Sequence, residues 1–184
     1  MKRATMLTIG MAAIWLTALG GYASSAPDQY AVTVPGGPAF SEFRGYESWQ
    51  AISFSSNARL AAVIVGNPVM IAAYEAGFPA IGKPVPDGAK MAKIHWTPKQ
   101  NEFFPGTAGP GQLVNVDVMV KDSKRFADSG GWGYAVFDYN AASDTFTPGT
   151  TAGTPPQGND AKCGLACHTI AKNKDYVLTE YGRR

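Results

Sequence analysis

Two cysteines and a histidine near the C-terminus are the side chains best suited to metal or redox chemistry. Cys163, Cys167 and His168 lie in the run Cys-Gly-Leu-Ala-Cys-His. Haem-attachment motifs place two cysteines before a histidine, because the thiols add to the two vinyl groups and the imidazole ligates the iron. Such motifs normally have two residues between the cysteines, whereas this chain has three. The extra residue must bulge from the helical turn, which the flexible backbone of Gly164 allows.

Three other assignments fit the same residues and stay open on the motif alone. Cys163 and Cys167 could form a disulfide in an oxidising compartment, if the turn departs from an ideal helix. Together with His168 they offer three ligands to zinc, and the chain has one further histidine, His95. A redox-active thiol pair is the third alternative, although such pairs prefer two intervening residues and a βαβ setting, which is absent.

The N-terminus is predicted to be a signal peptide. A basic pair at residues 2–3 precedes a short, uncharged and largely apolar run, which small residues follow. We expect cleavage after Ser25, so that residues 1–25 are an export signal and residues 26–39 an extended N-terminal arm. An uncleaved membrane anchor is the alternative. The protein is therefore expected to be periplasmic or otherwise exported.

The composition excludes several classes of protein. Of the 184 residues, 45% are hydrophobic and 16% are charged, which suits one globular domain rather than a disordered chain. The net charge of +2 falls to zero when residues 1–25 are removed with their two basic side chains. A neutral chain without a basic run is not expected to bind nucleic acid. Beyond the N-terminus, no apolar run approaches the ~20 residues of a membrane-spanning helix.

The pattern of apolar residues and turn formers predicts an antiparallel α+β domain over residues 40–184, with short helices and long loops. The predicted strands, three or four in number, cover 59–65, 89–96, 113–121 and 132–139. Short helices are predicted at 41–50 and at 68–76, the second capped by Asn67. Loops are predicted at 98–112 and 140–159, and the stretch 160–181 is predicted to begin as a helix.

Alternation within two predicted strands separates an apolar face from a face with polar side chains. In 89–96, Lys93 and His95 share a face. In 113–121, Asp117 faces away from a stripe of four valines. Lys93 and Asp117 could each serve a site or simply be solvated. His95 is expected to be a surface or structural histidine rather than a second iron ligand.

Five short motifs occur in a fixed order along the chain. They are Asp87-Gly88 followed by Lys93, the run Lys121-Asp122-Ser123-Lys124-Arg125-Phe126, the stretch from Trp132 to Phe137, the cysteine–histidine cluster, and Asp175-Tyr176-Val177-Leu178-Thr179. None is specific alone. In this order they resemble the motifs of the cytochrome P-460 family, which also contains the beta-type cytochromes c-prime, over roughly residues 40–182.

The resemblance implies a mono-haem c-type cytochrome with a C-terminal haem-attachment helix. Cys163 and Cys167 would form covalent thioethers to the haem, and His168 would be the proximal iron ligand. Lys93 matches a lysine that is bonded to the haem ring in members that oxidise hydroxylamine. Asp117 falls at or near the position of a distal glutamate, and its side chain is one methylene shorter.

The function that the resemblance implies is haem chemistry on a small nitrogen species, with hydroxylamine oxidation as the favoured reaction. Asp117 would accept protons as electrons leave for an electron-acceptor protein that the sequence does not identify. A cytochrome that binds nitric oxide or carbon monoxide without turnover is the first alternative. A non-haem exported domain with a Cys163–Cys167 disulfide is the second. The resemblance also implies a homodimer.

Overall fold

Six strands form one antiparallel sheet within the residues that the structure describes, and strands adjacent in sequence are adjacent in the sheet. The structure is a computed structural model that describes residues 28–80, 82–151 and 164–182. The strands are β1 (Gln50–Ser56), β2 (Ala61–Gly66), β3 (Lys90–Gln100), β4 (Ala108–Lys121), β5 (Trp132–Asn140) and β6 (Thr145–Pro148). The order β1 to β6 makes β3 and β4 the central pair of the sheet.

Short helices connect and cover the strands. The described α-helices are α1 (Pro68–Glu75) and α2 (Leu165–His168), and the 3₁₀ helices are Phe40–Phe43, Tyr46–Ser48, Ala127–Ser129 and Thr169–Lys174. No helix in the described parts of the chain is both long enough and apolar enough to cross a membrane. The predicted signal peptide and Cys163 lie outside the described residues.

Both faces of the sheet are covered. On one face, the N-terminal segment before β1 buries aromatic side chains such as Phe40 and Phe43 against the valine stripe of β4. On the other face, α1 and the C-terminal segment pack against a second cluster that includes Met70, Met91 and Trp132. A sheet covered on both faces leaves polar side chains at its centre enclosed by protein rather than by water.

The antiparallel α+β architecture is confirmed, but the predicted number of strands was too low. The prediction missed β1, whose sequence Gln-Ala-Ile-Ser-Phe-Ser-Ser alternates only weakly, and β6, which has four residues. The loop predicted at 98–112 was too long, because β3 continues to Gln100 and pairs there with Ala108 of β4. Backbone hydrogen bonds to a neighbouring strand stabilise this extension, and a Gly/Pro-rich sequence gives no pattern from which they could be predicted.

The helix predicted at 68–76 is confirmed, and the helix predicted at 41–50 is corrected. The helix α1 begins after Asn67, whose side chain accepts a hydrogen bond from the Met70 amide. Residues 41–50 form two 3₁₀ helices rather than one amphipathic helix, because the chain turns through a left-handed conformation at Gly45. The aromatic side chains Phe43 and Tyr46 are nevertheless buried, as the spacing predicted.

Replacing Asn67 with alanine is expected to lower the free energy of unfolding by about 1–2 kcal/mol. Its Oδ1 accepts from the amides of Met70 and Lys90, both at 3.0 Å, so it caps α1 and ties the helix to β3. Urea unfolding followed by circular dichroism measures the change. The control is Asn57→Ala, which removes two similar bonds in the exposed β1–β2 turn. Equal losses in both variants would contradict the prediction.

Candidate functional site

A pocket of about 440 Å³ lies on the face of the sheet that carries the C-terminal segment. Its volume falls within the range of small-molecule and cofactor sites. The lining side chains come from β1 to β5, from α2 and from the chain after Val177, and they are Ser53, Phe54, Ser55, Ile64, Met91, Lys93, Asp117, Val118, Met119, Tyr134, Cys167, His168, Leu178, Thr179 and Glu180. The lining thus mixes polar side chains with apolar ones.

The wall formed by α2 carries Cys167 and His168. The helix begins after Gly164, whose φ of +106° is a conformation that side chains disfavour, and this agrees with the flexibility predicted there. Nδ1 of His168 lies 2.7 Å from the backbone carbonyl oxygen of Tyr176. A carbonyl can only accept, so Nδ1 carries the proton and donates it. In the neutral imidazole, Nε2 then keeps its lone pair and is the nitrogen that can ligate a metal.

Burial favours the neutral form of His168. Loss of solvation lowers the pKa of its imidazole. The hydrogen bond to Tyr176 raises that pKa, and the charge of Lys93 lowers it further, so the net shift is downward. The aromatic ring of Tyr134 lies against it, with ring centroids 4.9 Å apart. The side chain is thus held in one orientation and in the protonation state that a metal requires.

The sheet contributes Lys93 and Asp117 to the same pocket. They are direct cross-strand partners on β3 and β4, so both side chains leave the same face of the sheet. Ile64 pairs with Lys93 from the other side, on β2. The alternation of Lys93 and Asp117 was therefore correctly predicted. The alternative that Asp117 is simply solvated is corrected, because β4 is a central strand of the sheet and the side chain is only 22% exposed.

Asp117 is a carboxyl group set for proton transfer near neutral pH. Burial raises its pKa to about 7; the charge of Lys93 opposes that rise and the charge of Asp138 adds to it. Its Oδ1 is buried and accepts no hydrogen bond from the described residues. A general acid or base works best when its pKa is close to the working pH. Asp117 thus has the reactivity of a proton acceptor facing the pocket.

His95 lies next to Asp117 but does not line the pocket. Its Nδ1 is 3.7 Å from Oδ2 of Asp117, and burial lowers the pKa of its imidazole. The side chain is buried, with Asn115 as its cross-strand partner on β4. This placement agrees with a structural histidine rather than one directed at a bound group.

The structure brings four of the predicted site residues to one pocket: Lys93, Asp117, Cys167 and His168. The fifth, Cys163, lies outside the described residues. Trp132 and Phe137, the ends of one of the family-like motifs, are fully buried and absent from the pocket lining, so they belong to the core rather than to the site wall.

Sequence reasoning did not single out Tyr134, Glu180 or the carbonyl of Tyr176. Tyr134 pairs with Met119 on the face that Asp117 shares, and this register between β4 and β5 is seen only in the structure. Glu180 is exposed at the pocket mouth and forms an ion pair with Lys174. No sequence pattern marks a backbone carbonyl as a partner for an imidazole.

The donors in this pocket fit a haem. An imidazole with a free Nε2 and a thiol on the preceding residue face a cavity whose other walls include Ile64, Met91 and Met119. A histidine nitrogen that can ligate iron, beside apolar side chains that can contact a porphyrin, is a donor set that suits haem. The fold and the pocket thus define an α+β domain with a haem-type site.

Comparison with known protein families also indicates a haem protein. Residues 43–179 match the family described as Cytochrome P460. The chain belongs to the cytochrome P460 family and is a haem cytochrome. Among curated proteins, no sequence matches the chain.

Proposed function

We propose that the protein is an exported c-type cytochrome that oxidises a small nitrogen compound, with hydroxylamine as the favoured substrate. The observation that carries the proposal is that Lys93 and Asp117 face the same pocket as Cys167 and His168. A simple electron carrier needs no buried acid beside its haem. A carboxyl group with a pKa near 7 is useful where protons leave a substrate.

The chain's own residues would hold the haem at both ends of the pocket. Cys163 and Cys167 would form the two thioethers by addition to the vinyl groups, and His168 would ligate the iron through Nε2. The amine of Lys93 would bond to a ring carbon in place of a hydrogen, which requires a two-electron oxidant, such as a peroxide, to take up the two electrons and two protons that are lost. When bound, the haem supplies an iron centre that coordinates the substrate nitrogen and takes up its electrons. An electron-acceptor protein would receive those electrons.

Asp117 would serve as the proton acceptor. Hydroxylamine loses protons from nitrogen and oxygen as it loses electrons, so each oxidation step needs a base nearby. The carboxyl group of Asp117 is the candidate acceptor, because its side chain lines the pocket and burial raises its pKa to about 7. The ammonium group of an unbonded Lys93 lowers the pKa of Asp117, but burial outweighs it and leaves that pKa at about 7. Bonding of Lys93 to the ring removes that charge and leaves burial to set the proton affinity of Asp117.

A cytochrome that binds nitric oxide or carbon monoxide without turnover is the second candidate. The observation that favours it is the apolar share of the pocket wall, with Ile64, Met91 and Leu178 beside the polar pair. A small diatomic gas needs an open apolar space and no proton acceptor. The two candidates differ in one covalent bond, the bond between Lys93 and the haem.

Tryptic mapping of purified holoprotein is expected to show a haem peptide that joins residues 91–99 to residues 163–172. The first segment appears because trypsin cannot cut after a modified Lys93, and the second because both thioethers lie on it. Lys90 is an internal control, since its side chain leaves the opposite face of the sheet and donates to the carbonyl of Glu42. Cleavage after Lys90 should be complete.

Other mapping results separate the alternatives. An unmodified peptide ending at Lys93, in full yield beside a haem peptide 163–172, would replace the hydroxylamine proposal with the gas-binding one. A colourless protein whose mass shows only a Cys163–Cys167 disulfide would refute covalent haem attachment altogether. Haem that extracts into acidified acetone would do the same.

The proposal includes export and dimer formation. Support for export comes from the basic start, the apolar run and the small residues of positions 1–25, and from the oxidising compartments in which c-type haem is attached. The homodimer rests on the family alone. N-terminal sequencing of the mature protein and light scattering would measure the two properties.

A further inference from the structure

The carbonyl group that contacts His168 belongs to a turn in an unfavourable backbone conformation. Asp175 and Tyr176 are both left-handed, with φ of +48° and +63°. Non-glycine residues adopt this conformation at a cost, and it persists where the surrounding structure holds it. The turn directs the Tyr176 carbonyl oxygen to within 2.7 Å of Nδ1 of His168. The contacts that fix the conformation of this turn therefore also fix the position of the His168 imidazole.

A buried ion pair holds the first residue of the turn. Nζ of Lys121 lies 2.8 and 2.9 Å from the two carboxylate oxygens of Asp175, and the two side chains are only 6% and 14% exposed. The Val85 amide also donates to Oδ2 of Asp175, and Nε1 of Trp132 donates to its backbone carbonyl oxygen. Asp175 is thus tied to the end of β4, the start of β5 and the loop before β3.

The second residue of the turn is held by close packing. A Cβ atom at Gly130, where φ is +69°, would lie 2.2 Å from the ring of Tyr176, so the ring rests directly on the glycine backbone. Lys121 joins the two contacts, because its Nζ also donates to the carbonyl oxygen of Gly130 at 3.0 Å. One lysine therefore positions both the carboxylate of Asp175 and the surface against which Tyr176 packs.

We propose that Lys121 and Asp175 are positioning residues for the proximal ligand: their ion pair sets the Nδ1–H···O bond of His168 and so tunes the haem iron. The inference rests on the proposed ligation of iron by His168. A stronger bond at Nδ1 makes the imidazole a more basic ligand, which stabilises the oxidised iron and lowers the reduction potential. Neither Lys121 nor Asp175 lines the pocket, so each acts through the turn.

The alternative role for this pair is simple stabilisation of the fold. A buried ion pair is weak support for that role, because apolar residues of similar volume often stabilise a protein as well or better. Stabilisation alone would not require that the carboxylate meet a lysine, an amide and a strained turn at once. The two roles predict different results for variants that still fold.

The test compares Lys121→Met, Asp175→Asn and the double variant as haem-loaded proteins. Resonance Raman spectroscopy of the reduced protein measures the iron–histidine stretching band, and redox titration measures the midpoint potential. We expect the band to move to lower frequency and the potential to rise. A tenfold change in the ratio of reduced to oxidised protein corresponds to about 59 mV. The double variant should shift by less than the sum of the two single variants, because all three break the same ion pair.

Arg125→Gln is the matched control. Arg125 forms an ion pair with Glu42 at 2.9 Å that joins the loop after β4 to the N-terminal segment on the opposite face of the sheet. It should lower stability without moving the band or the potential. If Lys121→Met does not accumulate as holoprotein, Asp175→Asn decides, because asparagine keeps an acceptor for the Val85 amide.

An unchanged band and potential in the folded variants would overturn the positioning role and leave the proposed function intact. Equal shifts in Arg125→Gln would also overturn it, because the effect would then be general destabilisation. Failure of the proposed iron ligation would give a different result. The iron–histidine stretching band would then be the same in the wild type and in His168→Ala. That result would overturn both.

Discussion

Replacing Asp117 with asparagine is expected to lower the rate of hydroxylamine oxidation by the haem-loaded protein by about 10²–10⁴-fold. The amide fills the same space and keeps an oxygen toward the pocket, but it cannot accept a proton at neutral pH. Binding of carbon monoxide to the reduced protein should be unchanged, because that reaction moves no proton. Stopped-flow or steady-state turnover with an artificial electron acceptor measures the first property, and optical titration measures the second.

Two further variants test whether the effect belongs to the proton acceptor. Asp117→Glu restores a carboxylate with the family's longer reach and should recover much of the rate. Asp138→Asn removes a neighbouring charge that raises the pKa of Asp117, so it should move the rising limb of the pH–rate profile to lower pH. A full rate in Asp117→Asn, or an equal loss in Asp138→Asn, would exclude Asp117 as the base.

The direction of the pH dependence follows from the raised pKa of Asp117. A base must be ionised, so turnover in the wild type should rise with pH through the pKa of Asp117, and Asp117→Asn should lose that rise. That pKa is about 7 while Lys93 is charged, and it is higher once Lys93 is bonded to the ring, because the charge that lowers it is then gone. Stability should change in the opposite sense. The folded-state pKa lies above the usual value of 3.8, so protonation of Asp117 favours the folded state and that contribution is lost as pH rises through about 7. The stability advantage of the asparagine variant over wild type should therefore grow from pH 5 to pH 8.

The sequence could predict that Lys93 and Asp117 lie on the polar face of their strands, because the residues next to them in each strand are apolar. Ala92 and Ile94 on β3 and the valines of β4 belong in the core, and a period of two then directs the polar residues between them to the other face. What the alternation could not supply was the cross-strand register. That β3 pairs with β4 so that Lys93 lies opposite Asp117 depends on the hairpin between them, whose strands extend well into the predicted loop.

The parts that could not be predicted depend on contacts between distant segments. The strand β1 has little pattern of its own, and it is stabilised by pairing with β2 and by burial of Ile52 in the core. The contact between His168 and the Tyr176 carbonyl oxygen lies beside an ion pair between residues far apart in sequence, Lys121 and Asp175. Long-range contacts of this kind leave no local periodicity. The family motifs that contain Lys121 and Asp175 could be recognised in the sequence, but the ion pair that these two residues form could not.

Replacing His168 with alanine is expected to abolish the iron–histidine stretching band of the reduced holoprotein and to change its absorption spectrum. Nδ1 of His168 donates to the Tyr176 carbonyl oxygen, so the ring presents Nε2 to the pocket, and alanine removes that nitrogen with the whole ring. Haem should remain attached, because the thioethers do not depend on the imidazole. The fold should persist as well, since the side chain is only half-buried and the core clusters do not include it.

The control for this variant is the other histidine of the chain. His95→Gln changes a buried imidazole that does not line the pocket, and its iron–histidine band should match that of the wild type. Added imidazole should enter the space left in His168→Ala and restore a nitrogen-ligated spectrum, which a misfolded protein could not do. If His168→Ala keeps the wild-type band, the iron has another ligand and the proposed arrangement of the pocket is wrong. Loss of the band in both variants would show that it reports general disturbance rather than ligation.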